Sequence, residues 1–255
     1  MTATYAPAPG AAPLPRMVLT QAGLELRMML RNGEQLLLTI VIPLLVLGVL
    51  AVVEAMDLGD RGARVGFLTP GVLALAVIST SFTGLAIGTG FERRYGALKR
   101  LGASPLPRWG LLAGKTLAVL TVETLQVALI CGLGLALGWD PSGSALAVIP
   151  LLLAGTAVFC ALGLLMAGTL RAEATLALAN LVYVLLLVTG GIAVPLDRFP
   201  PGVRTVLELL PAGALADGLR DVLRDGTGLP WATLGVLVAW AAAAGATAAA
   251  SFRWE

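Results

Sequence analysis

Residues 145 to 170 read ALAVIPLLLAGTAVFCALGLLMAGTL, twenty-six consecutive positions without a charged side chain. About 20 apolar residues cover the roughly 30 Å of a bilayer's hydrocarbon when coiled as a helix. Only helices and closed barrels satisfy every backbone group in lipid, and this run has no in/out alternation, so it reads as a transmembrane helix. Five more stretches carry the same signature, at 36–53, 65–89, 110–137, 174–194 and 231–250. The expected fold is all-α, a polytopic membrane protein of six spans. Composition agrees: 58% of the 255 residues are hydrophobic, only 13% are charged, and the mean hydropathy is +0.90. A soluble domain carries about 25% charge. Trp109 and Trp139 bracket the third span, and Trp231 and Trp254 the sixth, where interfacial aromatics are expected.

The missing residue types narrow the chemistry. The chain has no histidine. It therefore cannot supply a Ser-His dyad, an HExxH zinc site or a histidine haem ligand, and no catalytic residue and no metal site are expected. Its two cysteines, Cys131 and Cys160, lie in apolar runs and read as small buried hydrophobes. A net charge of +2 is too weak to suggest nucleic-acid binding. The segment GLLAGKT at 110–116 imitates a phosphate-binding loop, yet only three residues separate its glycines and it opens a span.

Charge distribution predicts the orientation. Between the spans, one side collects Arg16, Arg27, Arg31, Arg93, Arg94, Lys99, Arg100, Arg108, Lys115, Arg171 and Arg253. The other holds Arg61, Arg64, Arg198, Arg204, Arg220 and Arg224 against nine acids, Glu54, Asp57, Asp60, Asp140, Asp197, Glu208, Asp217, Asp221 and Asp225. The positive-inside rule places the first side, with both termini, in the cytoplasm.

Four stretches outside the spans have their own patterns. Residues 1–16 are Ala/Pro-rich and read as a flexible tail with no signal peptide, leaving 17–255 as a single membrane domain. Residues 17–32 set Val18, Leu19, Ala22, Leu26, Met29 and Leu30 on one stripe, mostly opposite Gln21, Glu25 and Arg27, predicting a helix lying in the cytoplasmic interface against membrane lipid. From Glu92 to Leu101 a short helix is predicted, ended by Gly102 and the Ser104-Pro105-Leu106-Pro107 run. The loop 195–229 carries two short apolar faces separated by Pro211, predicting two helices on or dipping into the outer leaflet.

Within the spans Glu123 is the conspicuous ionisable residue, about 12 Å past Lys115 along a helix. A charge there costs about 2.5–3.5 kcal/mol or more, so it must face the bundle interior or a wet cavity. Ser79, Thr83, Gln126 and Asn180 could face the same interior. Together they form either the polar lining of a substrate pathway or hydrogen bonds that fix packing. Gly84 with Gly88, and Gly134 with Gly138, are GxxxG pairs that permit close helix contact.

The whole arrangement resembles the permease subunit of type-2 ABC exporters. The resemblance covers residues 17–255 and is most specific in the loop Glu92-Arg93-Arg94-Tyr95-Gly96-Ala97-Leu98-Lys99-Arg100-Leu101, followed by Pro105, Arg108, Gly114 and Lys115. Among relatives it is most similar to actinobacterial drug-exporter permeases of the daunorubicin-resistance type. The resemblance implies a coupling helix at 92–101 docking into a separate ABC ATPase subunit. It also implies a second permease copy or paralogue, and ATP with Mg on the partner, with no cofactor on this chain. It further implies outward movement of a hydrophobic or amphipathic, drug-like or lipid-like cargo across the cell (plasma) membrane. An ion-gradient-driven secondary transporter using Glu123 is the alternative. A lipid-processing enzyme would need chemistry that no residue here supplies.

Overall fold

The computed structural model describes residues 12–53, 60–102, 105–192 and 194–251. Among them every regular element is helical. Helix α1 (Leu14–Arg31) precedes six membrane-spanning helices: α2 (Gly33–Val52), α3 (Arg61–Arg94), α5 (Arg108–Ala136), α6 (Ala145–Thr169), α7 (Ala172–Thr189) and α10 (Trp231–Ser251). The short helix α4 (Ala97–Gly102) joins α3 to α5, while α8 (Pro201–Leu209) and α9 (Pro211–Leu223) precede α10. The molecule is therefore a polytopic membrane protein. Its two ends are named here by their charge: a basic end with α1 and α4, and an acidic end with α8 and α9.

Helix α3 is the axis of the bundle. Of its most apolar stretch 89% is buried, against 17% for α10, so α10 presents most of its surface outward. Around α3 stand α2, α5, α6, α7 and α9, and α10 packs chiefly on α6. At 34 residues α3 runs about 51 Å, well beyond the hydrocarbon at both ends. The predicted span 65–89 is its apolar middle. Arg61 and Arg64 before it and Glu92 to Arg94 after it are helical too.

Both α2 and α3 contain a π-helical turn, Leu37–Val41 and Ile78–Gly84. In α2 the cause is local. Pro43 has no N–H, so it can serve neither the Thr39 carbonyl four residues back nor the Leu38 carbonyl five back. Widening the turn tolerates the ring and leaves both oxygens available to other donors. In α3 the wide turn meets α6 at Gly163, where a Cβ would lie 2.9 Å from the Phe82 carbonyl; only glycine allows that approach.

Several expectations are corrected. Helix α1 starts at Leu14, inside the predicted tail, whose residues 1–11 lie outside the described chain. It packs on α5 through Val18, Gln21 and Glu25, all buried, a protein contact of its polar side that was not expected, while Leu19 is 65% exposed. The predicted helix 92–101 is two pieces. Helix α3 ends at Arg94, Gly96 takes a left-handed φ of 70°, and α4 restarts at Ala97. Span five ends at Thr189 instead of Val194. Both outer helices exist, yet α9 is wedged among α3, α6 and α10, with Leu215, Leu219 and Val222 fully buried. Trp109 and Trp231 are exposed as expected, whereas Trp139 is buried; Trp254, Arg253, Ser104, Glu54 and Asp57 lie outside the described residues.

Candidate functional site

At the basic end the connection from α3 to α5 is closed at its base. Lys115 Nζ, on α5, lies 2.6 Å from Glu92 Oε2, on α3, and 2.8 Å from Glu25 Oε1, on α1. Gln21 Nε2 donates to the same Glu25 Oε1, at 2.8 Å. Lys115 is only 4% exposed and Glu25 6%, so the ammonium and one carboxylate are held out of water, with the half-buried Glu92 beside them. Removing water strengthens their attraction and raises the cost of losing any one of them. Two residues on, Arg94 pairs with Glu173 at the start of α7, and Arg93 donates to the Leu170 carbonyl at the α6–α7 turn. The end of α3 is thus tied to α1, α5, α6 and α7.

Beyond this base the loop stands clear. Tyr95 is 69% exposed, stacked on Phe91 with ring centroids 6.1 Å apart, and Arg94 lies over its ring. In α4, Leu98 points inward and is buried while Lys99 and Arg100 are exposed. Leu98 is the buried apolar side chain of this helix. Arg94, Tyr95, Lys99 and Arg100 form a basic, partly aromatic surface around it.

The mid-membrane polar residues fall into two groups. Ser79 Oγ donates to the Leu38 carbonyl at 3.0 Å, and Gln126 Nε2 donates to the Thr39 carbonyl, the two oxygens that Pro43 leaves without an N–H. Thr80 Oγ1 donates to Gln126 Oε1 at 2.9 Å, so Gln126 joins the wide turns of α2 and α3. Separately, Thr156 Oγ1 on α6 donates to Glu123 Oε2 at 2.6 Å, and Glu123 is 6% exposed. Asn180 belongs to neither group: its amide donates to the Leu176 carbonyl of its own helix. Thr83 is buried beside the α2–α3 crossing and has no hydrogen-bond partner among the described residues.

At the acidic end a cation that sequence reasoning counted only as a loop charge is buried. Arg220, on α9, is 6% exposed. Its guanidinium donates to the carbonyls of Phe67 (3.2 Å), Ile192 (3.3 Å) and Gly191, pairs with Asp217 at 2.9 Å, and lies 3.9 Å above the Phe67 ring. Burial lowers its pKa and Asp217 opposes that shift. Asp217 in turn is raised by burial against the pull of Arg220. Beside them lies a cavity of about 690 Å³ whose wall includes Asp197, Arg204, Glu208, Asp221 and Arg224.

Comparison with known proteins gives this geometry a family. The profile described as ABC-2 type transporter matches residues 19–223. The chain belongs to that family. It is also similar to a Bacillus subtilis (strain 168) protein named "Putative transport permease YvfS", with 22% identity over 224 residues, covering 85% of this chain and 89% of that one. The match takes in α1, the first five spans and both outer helices, so this family member has every element described above within it except α10.

In this ABC-2 family protein the structure brings together some of the residues singled out from sequence and separates others. Glu92 to Leu101 do share the basic end, but Glu92 and Arg93 face inward as ties, and Arg94, Tyr95, Lys99 and Arg100 face outward. Ser79 and Gln126 share the α2–α3 crossing; Glu123, on α5, instead meets Thr156 of α6. The role of Glu25 was missed, although two carboxyl positions and one lysine flanking a helical loop were a usable signal. Arg220 offered none, since its partners are mostly backbone carbonyls.

Proposed function

We propose that this chain is the permease subunit of an ATP-driven exporter of the plasma membrane, with its basic end and both termini in the cytoplasm. In this reading the segment from Arg94 to Gly102 is the handle on which a separate ABC ATPase subunit pushes, with ATP and Mg bound there. One observation carries it: Glu92 and the buried Lys115, the two sides of the loop's base, are ion-paired, and Glu25 locks α1 to them. A push on α4 is then delivered to α3, α5 and α1 as one body, and α3 runs through the centre of the bundle. The largely outward-facing apolar surfaces of α2, α7 and α10 support a second copy or paralogue beside it. The cargo is hydrophobic or amphipathic, drug-like or lipid-like, as in the drug exporters of the daunorubicin-resistance type.

Ion-gradient coupling through Glu123 finds less support. Thr156 holds that carboxylate between α5 and α6, and it lines none of the three cavities described here. The decisive experiment replaces residues 97–102 with a Gly/Ser linker of equal length and asks whether the ATPase chain still co-purifies. Membrane insertion should be intact and the ATPase band lost; an undiminished band would overturn the handle assignment.

A further inference from the structure

Two adjoining cavities, of about 270 and 290 Å³, open between α1, α2 and α3 at the basic end. They share Asn32, Gln35, Gly84, Gly88 and Phe91 as a common wall. From Phe91 to Ser79 the recess follows α3 for twelve residues, about 18 Å towards the middle of the membrane. Its mouth includes the exposed Met28, Asn32 and Glu34. Its body is lined by Met29, Leu38, Leu85, Ile87 and Leu176. An apolar bore with a polar mouth has the proportions of a chain with a head group.

Three features show that the bore is built to be filled. Gly88 belongs to a GxxxG pair, yet a Cβ there would meet nothing within 4 Å, so at this position the motif leaves space where it could have given a helix contact. Thr83 and Thr89, each 2% exposed and each in the wall, have no hydrogen-bond partner among the described residues. Other span threonines, such as Thr121, Thr124 and Thr169, return their hydroxyls to a carbonyl four residues back. An unmet buried hydroxyl is costly, and a ligand acceptor would recover that cost. The ionisable groups in the two walls are Glu25, Glu34, Glu92 and Lys115, and Lys115 is already shared by Glu25 and Glu92. The balance is negative.

We propose that this recess binds a single-chain cationic amphiphile taken from the adjoining leaflet. Its chain lies along α3, its ammonium sits by the exposed Glu34 at the mouth, drawn there by the net negative wall, and an acceptor near its head meets Thr89. This gives the cargo of the proposed exporter a chemical class and an entry point, and rests on that reading only for the direction of travel.

The test uses the full chain in nanodiscs with a diazirine-bearing palmitoylcholine, and the fatty acid with the same diazirine as its anionic counterpart. Peptides from 28–38 and 79–91 should be labelled by the cation in preference to the acid. Gly88→Phe, which fills the bore, should remove that labelling, while Gly88→Ala keeps it. Thr83→Val and Thr89→Val change little volume, and the Thr89 variant should weaken labelling by about fivefold, the worth of one ordinary hydrogen bond. Equal labelling by the fatty acid, or undiminished labelling of Gly88→Phe, overturns the proposal. Should Gly88→Phe fail to fold, unchanged labelling of Thr89→Val overturns it instead. No ATPase is present, so failure here leaves the handle assignment standing, and loss of the handle leaves this binding measurable.

Discussion

Lys115 at the basic end and Arg220 at the acidic end are both buried, and the two are held in opposite ways. At the basic end Lys115 is met by two carboxylates from two other helices. At the acidic end Arg220 is met by three backbone carbonyls and a carboxylate one turn away on its own helix. The first arrangement pins three helices to one another through side chains; the second pins α9 to the backbone of α3 and of residues 191–192. The basic end is a joint that ties helices together, and the acidic end is a bracket built on backbone. The contrast also fits the donors: a guanidinium can serve several carbonyls at once, whereas an ammonium acts as a point charge between carboxylates.

The largest effect expected is at the joint. Lys115→Met strands two carboxylates, one buried and one half-buried, and should cost about 3–5 kcal/mol, read as a lower thermal unfolding midpoint in detergent. Adding Glu25→Gln and Glu92→Gln should recover most of that loss, since an apolar or neutral replacement of a whole buried ion network is often near neutral. The bracket should behave differently. Arg220→Met should cost about 2–4 kcal/mol, and Asp217→Asn should not rescue it, because the carbonyls of Phe67, Gly191 and Ile192 stay unmet. Rescue at both ends, or at neither, would erase the distinction between them.

A smaller loss is expected at the mid-membrane crossing. Gln126→Leu frees the Thr39 carbonyl and the Thr80 hydroxyl and should cost about 1–3 kcal/mol, with faster hydrogen exchange confined to residues 37–41 and 78–84. The smallest effect belongs to the exposed pair of Arg94 and Glu173. Glu173→Gln should change stability by at most about 1 kcal/mol, because water screens both partners. A larger loss there would extend the joint to α7.

Six spans and their order were legible from sequence because backbone satisfaction in lipid is a local demand; the break at Gly96 inside the predicted helix 92–101 was not. A run such as 145–170 has no other way to cross hydrocarbon. Partners are a different matter. Hydrophobic periodicity set the apolar stripe of α1 towards lipid but gave no sign that Gln21 and Glu25, on its other side, would be buried against α5. Asn180 was grouped with Glu123 by depth alone, and depth does not fix the rotation of a helix.

Sequence by itself thus determined what each segment must do to survive in a bilayer: coil, cross, turn, or carry charge at one end. Tertiary structure alone decided which side chains meet, placing Glu25 and Glu92 on one lysine, Gln126 between two wide turns and Arg220 beneath three carbonyls. The physical reason is range. Backbone hydrogen bonding and lipid solvation act within one helix, whereas the pairing of a buried charge depends on the rotation and depth of helices far apart in the chain.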